Sequence, residues 1–283
     1  MLSLSTIPFF VFYKSSIVSI ETYYIMKQPT QKKIKLFAAY HKPFIIPKAT
    51  YVQPIQAGKA LSTIDLSMPG DNTNNHISQR NNSFCELTVL YWIWENADRS
   101  QFDFWGLMHY RRYFIQGDFL SNFFKKKIYK YKVDQTVMNK IINDKLYKSL
   151  LDSLQTHDVI LMKPIKGGEH SIEDNYKEKH IPEHWDIMIE VLLTKYPDYK
   201  RSLHYFKQSS MSYFNMMIAN WNVWDEYLQW LFDILFEVEK RIGKIDDVYQ
   251  ARVYGFLSER MINLFVYHNS LKIAYRPIAS FEK

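Results

Sequence analysis

Apolar and polar positions along the chain follow two periods, which predicts a mixture of strands and helices. The segment KIKLFAAY (33–40) is short and apolar, so it predicts a buried strand, and Pro43 enforces an extended exit from it. Further strands are predicted in FDFWGLMHYRRYF (102–114), HDVILMKPI (157–165) and SYFNMMIAN (212–220).

Other segments carry apolar residues at helical spacing. SFCELTVLYWIWENA (83–97) predicts a helix, and Ser83 with Glu86 forms the S-x-x-E pattern of a capping box. A second helix is predicted before Pro197, which stops it. Two more are predicted in the last third, WDEYLQWLFDILFEVEKRIGK (224–244), which ends at Gly243, and YQARVYGFLSERMINLFVY (249–267).

Two long polar stretches are predicted to be loops. One runs from Tyr51 to Asn82 and is rich in Pro, Gly, Asn, Asp and Ser, and the other is KGGEHSIEDNYKEKHIPEHW (166–185). Loops of this size within a domain are usually functional or mobile. Strands alternating with helices favour an α/β fold with an open, mostly parallel sheet flanked by helices and a helical C-terminal third. A ligand would bind at the carboxyl ends of its strands.

Length and composition support one sizeable core. The chain has 283 residues, of which 47% are hydrophobic. Residues 1–25 differ in character from the rest of the chain, and their apolar run is too short to span a membrane. We expect an N-terminal extension over 1–25 and a single domain over 26–283, with translation starting at Met1 or Met26.

Charge and cysteine usage narrow the partners and the compartment. A net charge of +7 favours an anionic partner such as a nucleotide phosphate, a lipid phosphate or a nucleic acid. The one cysteine, Cys85, excludes an intrachain disulfide framework and a cysteine-based zinc site. A reducing compartment, the cytoplasm, is therefore expected.

The stretch FWGLMHYRRYF (104–114) ends an apolar run with a histidine and two arginines. The period of a strand would place His109 and Arg111 on one face, with Tyr110 and Arg112 on the other. Arginine forks match phosphate oxygens, which suits a diphosphate ligand. Salt bridges to a neighbouring helix are the structural alternative, and both interpretations stay open here.

Six ordered motifs resemble a known family. They are AAYHKP, PIQAGKAL, DNTNNHISQRNNSFCELTVLYWIWEN, FWGLMHYRRYF, NMMIAN with YLQWLFDIL, and ARVYGFLSERM. Together they resemble an uncharacterised-domain family of bacterial glycosyltransferases from capsule and O-antigen gene clusters, with HYRRYF as its hallmark and galactofuranosyltransferases among its relatives. The resemblance runs from about Lys33 to Pro277. The loop DNTNNHISQRN is longer than the family's D-N-I-S-x-x-N, which leaves open which asparagine takes which role.

This resemblance implies a GT-A-like fold and the transfer of a hexose, galactofuranose being one candidate, from a nucleotide-diphosphate sugar such as a UDP-hexose. The acceptor would be a growing surface polysaccharide, lipid-linked or an oligosaccharide. The catalytic candidates are His109, Asp174 and Glu259. The nucleotide-sugar candidates are His41, Lys42, Asp71, Asn81, Tyr110, Arg111 and Arg112. The acceptor candidates are His180, Asn215, Arg252 and Arg260.

Several assignments keep a structural alternative. Capping explains Glu86, so no functional role is expected for it. Arg252 and Glu259 are seven residues apart on a predicted helix, which fits either a buried ion pair or a wall of the active site. The chain has no D-x-D motif, with which many GT-A enzymes hold a divalent metal against the diphosphate. Either arginine and histidine replace the charge of the metal or scattered ligands hold it, so the metal is unknown. The catalytic base is not identified, because Asp158, Glu173, Asp174 and Glu259 all qualify.

The run FFKKKIYKYK (123–132) supports two further interpretations. Basic and aromatic residues suit single-stranded nucleic acid, and they equally suit an anionic membrane surface. A transferase with a lipid-linked acceptor needs the second. We therefore expect peripheral contact with the inner face of the plasma membrane and no nucleic acid, with an inactive transferase-like scaffold as a third class.

Overall fold

The computed structural model describes residues 32–117 and 126–283. The described residues belong to one compact unit, Lys32–Lys283. The predicted extension 1–25 and the start of the basic run, including Lys125, lie outside the described residues. The predicted domain boundary at residue 26 stays a prediction.

The described residues contain eleven strands, nine of them in one sheet. They are β1 (Ile34–Tyr40), β2 (Val52–Gln56), β3 (Phe104–His109), β4 (Arg112–Phe114), β5 (Ile128–Lys132), β6 (Val159–Met162), β7 (Ile165–Lys166), β8 (Ser210–Met211), β9 (Met217–Asn220), β10 (Ile273–Arg276) and β11 (Ile278–Glu282). The order in the main sheet is β10-β6-β9-β3-β4-β11-β5. β1 also pairs with β3, β2 lies outside β1, and β7 and β8 form a separate pair.

The sheet is mixed. β1 runs parallel to β2 and β3, β10 to β6, and β11 to β5. β9 is antiparallel to β3 and β6, and β4 is antiparallel to β3 and β11. The α/β class with a helical C-terminal part is confirmed. The sheet differs from the predicted mostly parallel one because β4 and β9 run against their neighbours.

The helices pack on both faces of this sheet. They are α1 (Asn81–Phe84), α2 (Leu87–Asn96), α3 (Gln135–Ile141), α4 (Asp144–Leu154), α5 (Ile172–Lys179), α6 (Pro182–Lys195), α7 (Trp221–Ile242) and α8 (Val253–His268). Short 3-10 segments lie at Ser78–Arg80, Pro197–Lys207 and Gln250–Arg252. Alternate residues of β3 enter two different cores. Leu107 packs with α2, α6, α7 and α8, whereas Met108 packs with α3 and α4.

Two predicted loops contain regular structure. The segment 51–82 contains β2, which was missed in the sequence because it includes Pro54. Proline is tolerated there because β2 is an edge strand. The segment 166–185 holds α5, capped by Ser171, and the start of α6, where Pro182 occupies the first turn. The prediction of a loop is wrong in both places.

Candidate active site

The carboxyl ends of β1 and β3 lie side by side, because the two strands pair in parallel with Ala39 opposite His109. His41 and Lys42 follow β1. The ring of Tyr110, which follows β3, has its centroid 4.8 Å from that of His41 and 5.5 Å from Lys42 Nζ. Tyr110 is buried, and its backbone N–H donates to the carbonyl of Ala39 at 2.9 Å. It therefore supports His41 and Lys42 at the strand ends.

A two-residue turn reverses the chain between His109 and Arg112. β3 ends at His109, β4 begins at Arg112, and the two residues face each other in antiparallel register. Residues directly opposite in an antiparallel pair project from the same face. The prediction that Arg112 lies on the other face from His109 is wrong, because Tyr110 and Arg111 form the turn.

Phe214 connects these two side chains to the helix α8. His109 Nε2 donates to the carbonyl of Phe214 at 2.5 Å, and Arg112 Cζ lies 4.0 Å from the centre of its ring. The N–H of Phe214 donates to Glu259 Oε1 at 3.0 Å. Phe214 and Asn215 both have positive φ, 74° and 50°. Backbone held in this region carries strain, which clusters at functional sites.

Asn215 is buried just before β9, which begins at Met217 rather than at residue 212 as predicted. Its Nδ2 donates to Glu86 Oε1 at 2.8 Å and to the carbonyl of Gly255 at 3.2 Å. Its Oδ1 is buried and has no hydrogen-bond partner in the described part of the chain. Asn215 thus joins α8 to the start of α2 and presents one unsatisfied acceptor.

The predicted capping box of Ser83 and Glu86 is wrong. The segment is broken at Cys85, whose φ of 52° and ψ of −131° separate α1 from α2. Glu86 stands at the N-cap of α2 and makes no side-chain capping bond. Its side chain turns toward Asn215 instead, so Glu86 is a site residue that the sequence analysis set aside.

Glu259 pairs with its chain neighbour rather than with Arg252. Arg260 Nη1 donates to Glu259 Oε2 at 3.0 Å and to the carbonyl of Phe256 at 2.9 Å. Arg252 precedes α8, and its Nε donates to Cys85 Sγ at 3.4 Å. The seven-residue spacing of Arg252 and Glu259 therefore forms no ion pair between them.

Burial and nearby charge shift several ionisable groups. Desolvation lowers the pKa of His41, and Lys42, Arg252, His109 and Arg111 lower it further. Charges from three separate segments therefore act on His41, and Lys42 and Arg111 share with it a contact to the ring of Tyr110.

Inside the site, burial lowers the pKa of His109, and the charges of Arg112 and Arg111 lower it further. The charge of Glu86 and the hydrogen bond to the carbonyl of Phe214 raise the pKa and so oppose this effect. A carbonyl oxygen can only accept a hydrogen bond, so Nε2 carries the ring hydrogen. The neutral ring then has its lone pair on Nδ1.

Burial also raises the pKa of Glu259, and the charge of Glu86 raises it further. Arg260, the N–H of Phe214 and Arg112 lower the pKa and so oppose this effect. Arg111 Nε and Arg260 Nε are buried without a hydrogen-bond partner among the described residues. A buried donor without a partner calls for a ligand or an ordered water. The site can therefore hold an anion against its arginines.

Asp71 and Asn81 organise the loop beside the site. Asp71 is buried, and its two oxygens accept hydrogen bonds from the N–H groups of Gly58 and Lys59 and from the hydroxyls of Ser78 and Thr88, at 2.5 to 3.1 Å. With four donors in place, the Asp71 carboxylate holds the loop.

Asn81 Nδ2 donates to the carbonyl of Cys85 at 2.7 Å and to Thr88 Oγ1 at 3.0 Å. It thereby holds α1 against α2. Both residues support the segment that presents Glu86.

His180 is buried, and the charge of Arg260 lowers the pKa of its ring further after burial itself. Its ring stacks on Phe256 with centroids 4.1 Å apart, and its Nδ1 is 3.2 Å from Gln250 Oε1. Asp174, by contrast, is exposed in the first turn of α5 and accepts from Ser171 Oγ at 2.6 Å. Its neighbours are those of a helix N-terminus, so the structure does not bring Asp174 to the other candidates.

Two site residues escaped the sequence analysis. Phe214 acts mainly through its backbone, and no residue type signals such a role. Glu86 was visible but had a complete local explanation in the capping pattern. Its position became clear only through a contact with Asn215, 129 residues away in the chain.

Within residues 32–117 and 126–283, no three or more His, Cys, Asp or Glu side chains stand close enough together to hold a metal ion. In the same ranges, none of the helices combines the length and the apolar character needed to cross a bilayer.

The fold and the site define an α/β protein of the GT-A kind with a cationic site at the carboxyl ends of its strands. The chain belongs to the family described as Domain of unknown function (DUF4422), whose model matches residues 35–270. No curated protein matches it.

A solved structure with a similar fold is the apo form of WbbM, a bifunctional glycosyltransferase, with 24% identity and a TM-score of 0.77. The likeness covers 89% of this chain and 46% of WbbM, so this chain spans about half of that protein's length. It establishes the fold.

Proposed function

We propose that this protein is a glycosyltransferase that moves a hexose from a nucleotide-diphosphate sugar, a UDP-hexose, to a growing surface polysaccharide. The donor sugar, for which galactofuranose is one candidate, and the lipid-linked or oligosaccharide acceptor are part of the proposal. One observation carries it, the convergence of cationic side chains at the carboxyl ends of β1 and β3. They are Lys42, Arg111, Arg112 and Arg252, beside the ring of His41.

These cations would stabilise a departing nucleoside diphosphate. Breaking the bond between the sugar and the diphosphate leaves negative charge on the phosphate oxygens, and preorganised donors lower that barrier. Arg111 offers a buried Nε without a partner among the described residues. Arg112 is fixed against Phe214. Arginine forks suit phosphate oxygens better than single ammonium groups do.

The acceptor side of the site would be formed by Asn215, Arg260 and His180. Asn215 Oδ1 and Arg260 Nε are the unsatisfied acceptor and donor, which suit sugar hydroxyls. His109 would contribute a neutral ring beside the anion, with its Nδ1 as a hydrogen-bond acceptor. Glu259 would hold the strained Phe214 backbone through its hydrogen bond to the N–H.

The fold of the WbbM neighbour supports the reaction class. The second activity of a bifunctional enzyme is not proposed for this chain. We place the protein in the cytoplasm, at the inner face of the plasma membrane, where a lipid-linked acceptor would be met.

Thermal unfolding with candidate ligands tests the proposal. A ligand at 100 times its Kd stabilises the folded state by about 2.7 kcal/mol. We expect UDP to raise the melting temperature, and one UDP-hexose to be hydrolysed or transferred. Stabilisation by an oligonucleotide and not by UDP would indicate a nucleic-acid module. Stabilisation by neither would indicate a scaffold.

A further inference from the structure

Glu86 combines a fixed position with an open oxygen. Its Oε1 accepts from Asn215 Nδ2 at 2.8 Å, and Asn215 is itself buried and held to the carbonyl of Gly255. Glu86 Oε2 accepts no hydrogen bond from the described residues. The side chain is half-buried. One oxygen is therefore anchored while the other is available to a substrate.

The charge of Glu86 acts on the centre of the site. Its carboxylate raises the pKa of His109 and of Arg112, in each case against the larger effect of burial. It also raises the pKa of Glu259, after burial itself, and favours the charged form of Arg252. The carboxylate of Glu86 therefore lies near all four side chains.

The other candidate carboxylates are already engaged. Glu259 gives Oε1 to the N–H of Phe214 and Oε2 to Arg260. Asp71 accepts four hydrogen bonds, and Asp174 is part of the cap of α5. A proton acceptor needs a free lone pair within reach of the reacting hydroxyl. The remaining base candidates are engaged as well, since Asp158 accepts from the N–H of Lys272 and Glu173 pairs with Lys177 and Lys207. Of these six carboxylates, Glu86 alone lies in the site with one oxygen that accepts no hydrogen bond from the described residues.

We propose that Glu86 is the general base of the transfer, an inference that rests on the proposed function. Its Oε2 takes the proton from the acceptor hydroxyl while the hydroxyl oxygen bonds to the anomeric carbon. The bond from that carbon to the diphosphate breaks, and its electron pair leaves with the diphosphate, which the arginines stabilise. The glutamic acid then releases its proton to water. A single displacement of this kind inverts the anomeric centre.

Glu86→Gln tests the assignment with little change in shape. The glutamine oxygen can still accept from Asn215, so nucleotide binding and melting temperature should match those of the wild type. The transfer rate should fall about 10²- to 10⁴-fold, the usual contribution of a general base. Glu95→Gln, near the other end of α2, is the matched control and should transfer normally. Glu86→Asp keeps a carboxylate and should be faster than Glu86→Gln.

The product gives one more readout. The glycosidic bond formed should have the inverted configuration by NMR, because a base that deprotonates the acceptor hydroxyl serves a single displacement. A purely structural role of Glu86 would lower UDP binding and the melting temperature together with the rate.

The outcomes separate this inference from the proposed function. A wild type that transfers sugar together with a Glu86→Gln variant within threefold of it overturns the role of Glu86 alone. So does a retained configuration, or a loss of activity that parallels a loss of UDP binding and of folding in both Glu86 variants. A wild type that neither binds UDP nor transfers any sugar overturns the proposed function and, with it, this role.

Discussion

Arg111 and Arg112 are adjacent in the chain but differ in their surroundings. Arg111 lies in the turn, with a buried Nε and its Cζ 5.8 Å from the ring of Tyr110. Arg112 lies on β4, against Phe214 and across from His109. The chain reverses direction at Tyr110 and Arg111, and both arginines can therefore face an anion.

Arg112→Lys should impair turnover more than folding. Lysine keeps the charge and loses the bidentate fork. The rate should fall about 10²- to 10³-fold, as is usual when one preorganised interaction in a transition state is lost. Turnover of UDP-sugars and thermal unfolding should be measured for Arg112→Lys and Arg111→Lys, with and without chelator. Normal turnover in both, with activity lost to chelator, would assign the role to a bound metal.

His180 should make the fold sensitive to acid. Burial lowers its pKa to about 4, and Arg260 adds to this. The unfolded chain binds a proton below about pH 6.5, which the folded ring resists. The free energy of unfolding should therefore fall as the pH decreases from about 6.5 to about 4. His180→Phe keeps the stacking on Phe256 and should lose less stability over this range.

Urea unfolding at several pH values measures this difference. The exposed His170→Gln variant serves as the control and should follow the wild type. Equal pH dependence in His180→Phe and the wild type would contradict the role of His180.

At the scale of elements, two helices end in backbone conformations that favour glycine. Gly243 follows α7 with φ of 70° and ψ of −153°. Ser270 follows α8 with φ of 54°, where the N–H groups of Ser270 and Leu271 donate to the carbonyls of Tyr267 and Val266. This is the hydrogen-bond pattern of the Schellman motif.

Opposite substitutions at these ends should change stability in opposite directions. Gly243→Ala should lower the free energy of unfolding by about 1–3 kcal/mol, since its backbone suits glycine alone and no atom within 4 Å would meet the added methyl group. Ser270→Gly should raise it by about 1 kcal/mol. Chemical denaturation measures both. A stabilising Gly243→Ala would contradict the argument.

Some of the helices and strands could be predicted from the sequence, and others could not. β1, β6, α7 and α8 were predicted because long or strongly apolar segments decide their own structure. The turn at Tyr110 and Arg111 was missed because it has none of the glycine, proline or asparagine that usually marks a turn. The break at Cys85 likewise has no local signal.

The site follows the same division. His41, Lys42 and His109 could be placed together from sequence, since parallel strands end at one edge. The contact between Glu86 and Asn215 joins segments that are distant in the chain, so the sequence could not predict it. The place of Asp174 in the first turn of α5 was missed because that helix was predicted to be a loop.

At the scale of the whole molecule, the basic run includes the edge strand β5, Ile128–Lys132. β5 pairs with β11, the net charge of the chain is +7, and Lys126 Nζ lies 4.6 Å from the ring centre of Tyr129. Lys130 pairs with Glu282 at 3.2 Å, but both side chains are exposed, so the pair contributes little. In the described part of the run, Lys126, Lys130 and Lys132 are exposed and therefore available to an anionic surface.

Binding to anionic liposomes should be strong at low salt and weak at high salt, because salt screens exposed charges. Replacing Lys125, Lys126, Lys127, Lys130 and Lys132 by glutamine should abolish most of it. Cosedimentation measures the bound fraction, with Lys240 and Lys244 replaced by glutamine as the control. Unchanged binding after the five replacements would disprove the contact.

The position of β11 has a consequence for biosynthesis. β11 lies between β4 and β5, although residues 278–282 are made long after both. While the ribosome is still translating, β4 has a vacant edge, and the strand that carries Arg112 lacks one of its two neighbours. Domains begin to fold during synthesis. Here the sheet can close only after β11 has left the exit tunnel, so until then the nascent chain exposes an unpaired edge at β4.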